Sequence, residues 1–292
     1  MNKIAGILLC AGLFACATPE KAPEKAQEKT PVASGNESSQ FFKKNALETW
    51  NRENVAGGQG TLAGQFSFTR NNAKPEYTIK EIGWMTLAPG HSIGSHKHAD
   101  NDDAYIIVSG TGEFTDSAGK TDPAAEGDIT IARPGQSHAL KNTGSAPLYF
   151  LDIVTKTIVL TPQQMAAVND QQFFKKNSLK TWNRENVAGG QGTLAGQFSF
   201  TRNDAKLEYT TKEIGWMTLA PGHSIGLHKH EDNDDAYIIV SGTGEFTDSA
   251  GKTYPVAEGD ITIARPGQSH ALKNTGTVPL YFLDVVAKDS GK

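Results

Sequence analysis

The chain has 292 residues, a formal net charge of −4 and no stripe of its lysines and arginines, which argues against a nucleic-acid partner. That length is too great for one small domain and suits two. Both cysteines, Cys10 and Cys16, fall in the first sixteen residues, so the rest can form no disulfide and offers a metal only nitrogen and oxygen. Thirty glycines and many short runs of Ile, Val, Thr, Tyr and Phe favour short strands joined by tight turns.

Lys3 and the apolar stretch 4–14 read as an export signal, too short to span a bilayer. Leu13, Phe14, Ala15 and Cys16 resemble a bacterial lipobox. The resemblance implies that residues 1–16 form a lipoprotein-type signal and that Cys16 carries the lipid. Ordinary cleavage around Ala15-Cys16-Ala17 is the alternative. With Ala17 rather than Asp after the cysteine, a Gram-negative host would place the protein at its outer membrane, facing the periplasm. Contact with the membrane would then run through the anchor only. Residues 17–39 are Pro, Glu, Lys, Ala and Ser with almost no large apolar groups, a composition that cannot offset its ordering entropy. They read as a disordered tether.

From Gln40/Gln172 onward, residue n matches residue n+132, with about 13 differences in roughly 116 aligned positions. This defines two units, 40–157 and 172–288, joined by a linker, 158–171. Within the linker, 161–168 reads as a short helix, with Thr161 as N-cap and Pro162 in the first helical position. So few differences mean that the second copy's residues can be inherited rather than selected. Ser95/Leu227 and Ala99/Glu231 flank a pair of histidines, so the two pockets need not bind alike.

In the first unit, strands are expected at 77–87, 104–109, 112–115, 128–132 and 148–154, separated by Pro-Gly, Ser-Gly and Asn-Thr-Gly turns. Short strands at this spacing indicate an all-β sandwich or barrel, and a unit of this size suits a small jelly roll.

All eight histidines fall in one duplicated signature: His91, His96, His98 and His138, then His223, His228, His230 and His270. On a strand His96 and His98 face the same side while Lys97 faces the other. Asp103, Tyr105 and Ile107 share a face of the next segment, and His138 arrives from a later turn. A closed barrel can gather such separated residues around one interior point. His-x-His alone is a weak signal; the added acid, later histidine and fixed glycines make it strong.

These residues resemble the two motifs of the cupin family. The first is Gly, five residues, His-x-His, three or four residues, Glu, six residues, Gly; here Gly90, His96, His98, Asp103 and Gly110 take those places. The second motif is matched by Gly127, Gly135, His138 and Asn142, with Arg133 where the first proline is expected. The second unit repeats both through Gly222, His228, His230, Asp235, Gly242, Gly259, Arg265, Gly267, His270 and Asn274. The resemblance spans 40–288. It implies an all-β chain of two tandem cupin (double-stranded β-helix, jelly-roll) barrels packed as an intramolecular pseudo-dimer. It also implies one divalent transition metal per barrel (Mn, Fe, Ni, Co or Zn), bound by His96, His98, His138 and Asp103, and by His228, His230, His270 and Asp235. The family's Glu is Asp in both units, one methylene shorter, so the carboxylate can bind directly, through water or not at all. A vestigial site whose histidines only hydrogen-bond one another is the plain alternative.

Tyr105 and Tyr237 should line the pockets, as acid or base for catalysis or as core packing. His91 and His223 fall outside the ligand pattern and read as loop or rim residues. Arg133 and Arg265 can recognise a carboxylate or pair with a nearby acid, and residues 100–102 read as a solvated turn. The first functional reading is a metal-dependent enzyme on a small oxygenated molecule, an organic acid or sugar derivative: a dioxygenase, decarboxylase or isomerase of cupin type. No clear oxalate-decarboxylase lid with a catalytic Glu is present. The second reading is a tethered protein that binds a metal or small ligand without turnover.

Overall fold

The computed structural model describes residues 39–156, 160–166, 168 and 170–289. The export segment, Cys16 and the tether up to residue 38 lie outside them. The first repeat runs β1 (Phe41–Phe42), β2 (Glu48–Glu53), β3 (Thr61–Phe68), β4 (Ile79–Leu87), β5 (Ser92–Lys97), β6 (Asp103–Ser109), β7 (Thr111–Thr115), β8 (Thr121–Ala125), β9 (Ile129–Ala132), β10 (Ser137–Asn142) and β11 (Leu148–Thr155). The helix α1 (Pro162–Ala166) follows. The second repeat is β12 (Phe173–Phe174), β13 (Lys180–Glu185), β14 (Thr193–Phe200), β15 (Thr211–Leu219), β16 (Ser224–Lys229), β17 (Asn233–Ser241), β18 (Thr243–Thr247), β19 (Thr253–Ala257), β20 (Ile261–Ala264), β21 (Ser269–Asn274) and β22 (Leu280–Lys288).

Each repeat is a jelly roll of a large and a small antiparallel sheet. In the first, the small sheet has the order β5-β10-β7-β8 and the large one β12-β9-β6-β11-β4-β3-β2. Leu62, Met85, Ile107 and Phe150 of the large sheet meet Ile93, Phe114 and Leu140 of the small sheet in one buried core. Phe198, Met217, Ile239 and Phe282 do the same with Ile225, Phe246 and Leu272. The five expected strands are present with ends shifted by up to two residues. Strands β1, β2, β3, β5, β8 and β10 carry weaker signals. Pro123 interrupts β8, which is tolerated because β8 is the edge of its sheet. Histidines interrupt the apolar pattern of β5 and β10.

The outer faces of the large sheets are apolar as well. Ile82, Ala104, Ile106, Ile131 and Leu151 share one buried cluster with Ile214, Ala236, Ile238, Ile263 and Leu283. The strands between the two cores are buried on both faces, which is why Tyr105-Ile106-Ile107 and Leu148–Thr155, the latter interrupted by Asp152, read as near-continuous apolar runs rather than alternating ones.

The repeats also exchange arms. In sequence β1 precedes the first barrel; in space Phe41 and Phe42 pair with Thr262 and Ile261 of β20. In return Phe173 and Phe174 of β12 pair with Thr130 and Ile129 of β9. Gln40 fixes its arm: Nε2 donates to Ser269 O at 3.1 Å, and Oε1 accepts the Ser249 N–H at 2.9 Å. Trp84 Nε1 donates to Gly259 O and Trp216 Nε1 to Gly127 O, at 3.0 and 2.8 Å. Between the repeats, Thr161 Oγ1 accepts the Gln164 N–H while Gln164 Oε1 accepts the Thr161 N–H, a reciprocal cap that starts α1 at Pro162.

Candidate metal centre

His96 and Ile93 both belong to β5, three residues apart, and a regular strand would put them on opposite faces. A bulge resolves this. His138 pairs with His96 but Leu140 pairs with Ile93, so β5 carries one extra residue between the two points. Ile93 can therefore enter the core while His96 also turns inward. Gly94 sits in the bulge, where a Cβ would come within 2.1 Å of Ala56 O. The second repeat has the same shift between Ile225 and His228. On the unbulged β10, His138, Leu140 and Asn142 alternate inward, all fully buried. Asp103 opens β6 on the facing sheet.

The barrel thus gathers His96, His98, Asp103 and His138, with one ligand-type atom from each lying within 4.8 Å of the others, and likewise His228, His230, Asp235 and His270; either set could hold a metal ion. His98 Nε2 lies 3.0 Å from His138 Nε2 and 3.3 Å from Asp103 Oδ2. The counterpart distances from His230 Nε2 are 3.0 Å to His270 Nε2 and 3.4 Å to Asp235 Oδ2. His96 Nδ1–H donates to Gly94 O at 2.9 Å, which leaves its Nε2 lone pair free. The Asn101 amide nitrogen stands 3.3 Å from His98 Nδ1 and donates to Asp102 O at 3.2 Å. Burial, then the neighbouring imidazoles, hold His138 well below the ordinary histidine value; burial brings His270 down to about 3. Neutral imidazole is the form that ligates metals. Asp103 Oδ1 and Asp235 Oδ1 are buried without a hydrogen bond.

Tyr105 stacks on His138 with ring centroids 4.4 Å apart, and Tyr237 stacks likewise on His270. Burial, then the charge of Asp103, push the Tyr105 hydroxyl well above its usual value. Its proton is thereby held more tightly than in a free tyrosine. His91 stands outside the cluster, its Nδ1 accepting the Thr61 N–H at 3.0 Å. Arg133 takes the ion-pair role, Nη1 to Asp102 Oδ2 at 2.7 Å.

Two expectations are corrected. Residues 100–102 are not a solvated turn: Asn101 backs His98, and Asp102 is fully buried because its carboxylate holds Arg133 and the Thr211 N–H of the other barrel. Nor do Ser95/Leu227 and Ala99/Glu231 distinguish the pockets. All four are exposed, Leu227 by 55%, and Glu231 pairs with Lys229 in solvent. None of the residues around the two centres differs between repeats. Three flanking residues carried no motif: Asp152, Glu81 and Arg70. Burial, then Asp103, raise Asp152 well above the usual carboxylate range, and Asp284 behaves likewise toward Asp235. The one signal in sequence was a lone acid within an apolar strand.

The model of the cupin domain matches residues 83–154 and again 215–286. A Thermotoga maritima protein named oxalate-binding protein is 36% identical over 101 residues, which are 35% of this chain and 81% of that protein. Mannose-1-phosphate guanylyltransferase of Escherichia coli is 27% identical over 84 residues, 29% of this chain but only 18% of that enzyme. Among solved structures, the formate complex of Lactobacillus farciminis oxalate decarboxylase superposes with a TM-score of 0.62 at 18% identity, covering 88% of each chain. AerE from Microcystis aeruginosa also reaches 0.62, at 17% identity, over 86% of this chain and 100% of its own. At such identities the likeness to the two structures is one of fold.

Proposed function

Because the chain belongs to the cupin family, as two tandem copies of its barrel, we propose that each barrel binds one divalent transition metal and through it a small carboxylate of oxalate type. The ligands are His96, His98, His138 and Asp103 in the first barrel and His228, His230, His270 and Asp235 in the second. The spacing of the inner nitrogens carries this reading. Two ligands about 2.1 Å from a metal lie roughly 3.0 Å apart at a right angle and roughly 3.4 Å apart at a tetrahedral angle. The two Nε2 pairs stand at 3.0 Å and the His98–Asp103 and His230–Asp235 pairs at 3.3 and 3.4 Å, close enough for one ion to meet all of these atoms. Bound there, the metal would supply Lewis-acid polarisation of a carboxylate oxygen. The relative named for oxalate binding, of which the match covers 81%, supports the ligand class.

Turnover is the second reading, and Asp152 favours it. A buried carboxyl that keeps its proton beside the centre could protonate the carbon left when a carboxylate departs as carbon dioxide. We further propose that Cys16 is lipidated after export, which would tether both barrels to the periplasmic face of the outer membrane. Cys16→Ser should then move the protein from the membrane fraction to the soluble one; unchanged partition would refute the anchor.

Metal analysis of the purified protein tests the centres. Wild type should carry about two ions per chain, His96→Ala/His98→Ala about one, and the variant also carrying His228→Ala/His230→Ala none. Calorimetric titration with oxalate should follow the same series. Unchanged metal content across it would sink the assignment. Release of carbon dioxide or formate from oxalate separates enzyme from binder.

A further inference from the structure

Alternation along β4 sends Glu81, Gly83, Met85 and Leu87 to one face, and Met85 and Leu87 lie in the barrel core. Glu81 is thus the polar, buried end of that row. Arg70, two residues past β3, is aligned on it: its backbone N–H donates to Glu81 Oε2 at 3.2 Å, and its Nε stands 3.7 Å from the same oxygen. The contact uses the stem side of the guanidinium. Nη1 and Nη2 make no hydrogen bond among the described residues, and 55% of the side chain is open to solvent.

Val154 of β11 pairs with Glu81 on one side and with the ligand Asp103 on the other, so the Arg70–Glu81 pair stands two strands from the centre in the same sheet. Burial alone would lower the Arg70 value, but Glu81, Asp152 and the ligand Asp103 outweigh burial and raise it. Arg52, stacked on Trp50 at 3.8 Å, bears on the same Glu81. The second barrel repeats this with Arg202 against Glu213 at 3.9 Å, in the field of Asp235 and Asp284. A loose, half-exposed pair of this kind contributes little to stability, so holding Glu81 is a weak reason for the arginine. Its paired Nη donors have the fork geometry that matches a carboxylate.

We infer that Arg70 and Arg202 set ligand specificity: each guanidinium takes the far carboxylate of a short dicarboxylate whose near carboxylate meets the three-histidine centre. This rests on the proposal that the centre binds a carboxylate through a metal. It goes further in separating two acids from one: formate satisfies the metal alone, whereas oxalate or malonate satisfies the arginine too.

The test uses the full chain loaded with Mn, titrated calorimetrically with oxalate, malonate and formate. Arg70→Ala/Arg202→Ala should keep its metal and its formate affinity and lose about 10- to 100-fold in affinity for the two diacids. Arg70→Lys/Arg202→Lys should recover part of the loss. Diacid affinity equal to wild type would overturn the inference, as would a loss shared equally by formate, which marks a general field effect. Loss of metal from the alanine variant would also overturn it, by making the arginine a support of the centre. Wild type that binds metal but none of the three acids would refute the proposed function, and this inference with it.

Discussion

Replacing Arg133 by Met should expose how firmly the two barrels are clasped. Asp102 is fully buried, and its Oδ2 accepts from Arg133 Nη1 at 2.7 Å and from the Thr211 N–H of the other barrel at 2.7 Å. Arg133 Nη1 also donates to Thr211 O at 3.1 Å, and its guanidinium lies over Phe200 and Tyr209 at 4.8 and 4.4 Å. Removing one partner of a buried pair leaves an uncompensated charge and costs about 3–5 kcal/mol. The remaining backbone donor keeps the expected loss near the low end, about 3 kcal/mol, or roughly 6–12 °C in Tm for a unit of this size. Arg265→Met should cost less, because Asp234 keeps two backbone donors, from Thr78 at 2.9 Å and Ile79 at 2.7 Å. Adding Asp102→Asn to Arg133→Met should restore part of the loss, since the stranded charge is then gone. Urea unfolding followed by tryptophan fluorescence reads all four proteins. A loss below about 1 kcal/mol for Arg133→Met, or no recovery in the double variant, would refute the argument.

Three further outcomes are expected. Asn101→Ala and Asn233→Ala should each weaken metal binding about 10- to 100-fold at their own barrel, read by competition with a chelator; unchanged affinity would exclude the amide as a partner of the ligand histidine. In the metal-free protein His270 should withdraw stability as pH falls. His270 has its folded value depressed to about 3, so below the unfolded value the unfolded chain takes a proton that the folded one refuses. The contribution is whole above about pH 6.5, is reduced by about 2 kcal/mol at pH 5, and continues to fall toward pH 3; because Asp152 and Asp284 act in the opposite sense, it is read as the difference in pH slope of the urea midpoint between the metal-free protein and its His270→Gln variant, and equal slopes would contradict it. Gln40→Ala and Gln172→Ala should each cost about 1–3 kcal/mol, because each strands a backbone N–H, of Ser249 or of Ser117, on the barrel that receives the arm, and a Tm unchanged in either would count against the arm as a structural tie.

The ligand set could be read from the chain because motif spacing reports it directly: His-x-His on one strand, an acid five residues on, a histidine after a Pro-Gly turn. What escaped was decided by pairing. Asp102 and Asp103 are neighbours, and alternation sends them to opposite faces, but nothing local says which face looks into the barrel and which at the other repeat. Ile93 and His96 break the parity of a regular strand, and the bulge that reconciles them becomes visible only beside β10. The near-continuous apolar runs hid the second buried face of the large sheets, and with it the lone Asp152. Arg70 belongs to a turn whose charge has meaning only beside Glu81, eleven residues away on the next strand.

The exchanged arms are alike in geometry and unlike in time. β12 emerges from the ribosome after the barrel that receives it, so Phe173 and Phe174 find β9 already made. Gln40, in contrast, must wait for Ile263, 223 residues later in the chain. At about 5–20 residues per second that interval is on the order of 10–45 s. During synthesis β1 is therefore an aromatic-rich strand without its partner until β20 is made. A nascent chain that meets another copy within that window can lend its first arm to the wrong molecule. A strand pairing whose halves are made so far apart is thus where the same exchange that joins the repeats can instead join neighbours.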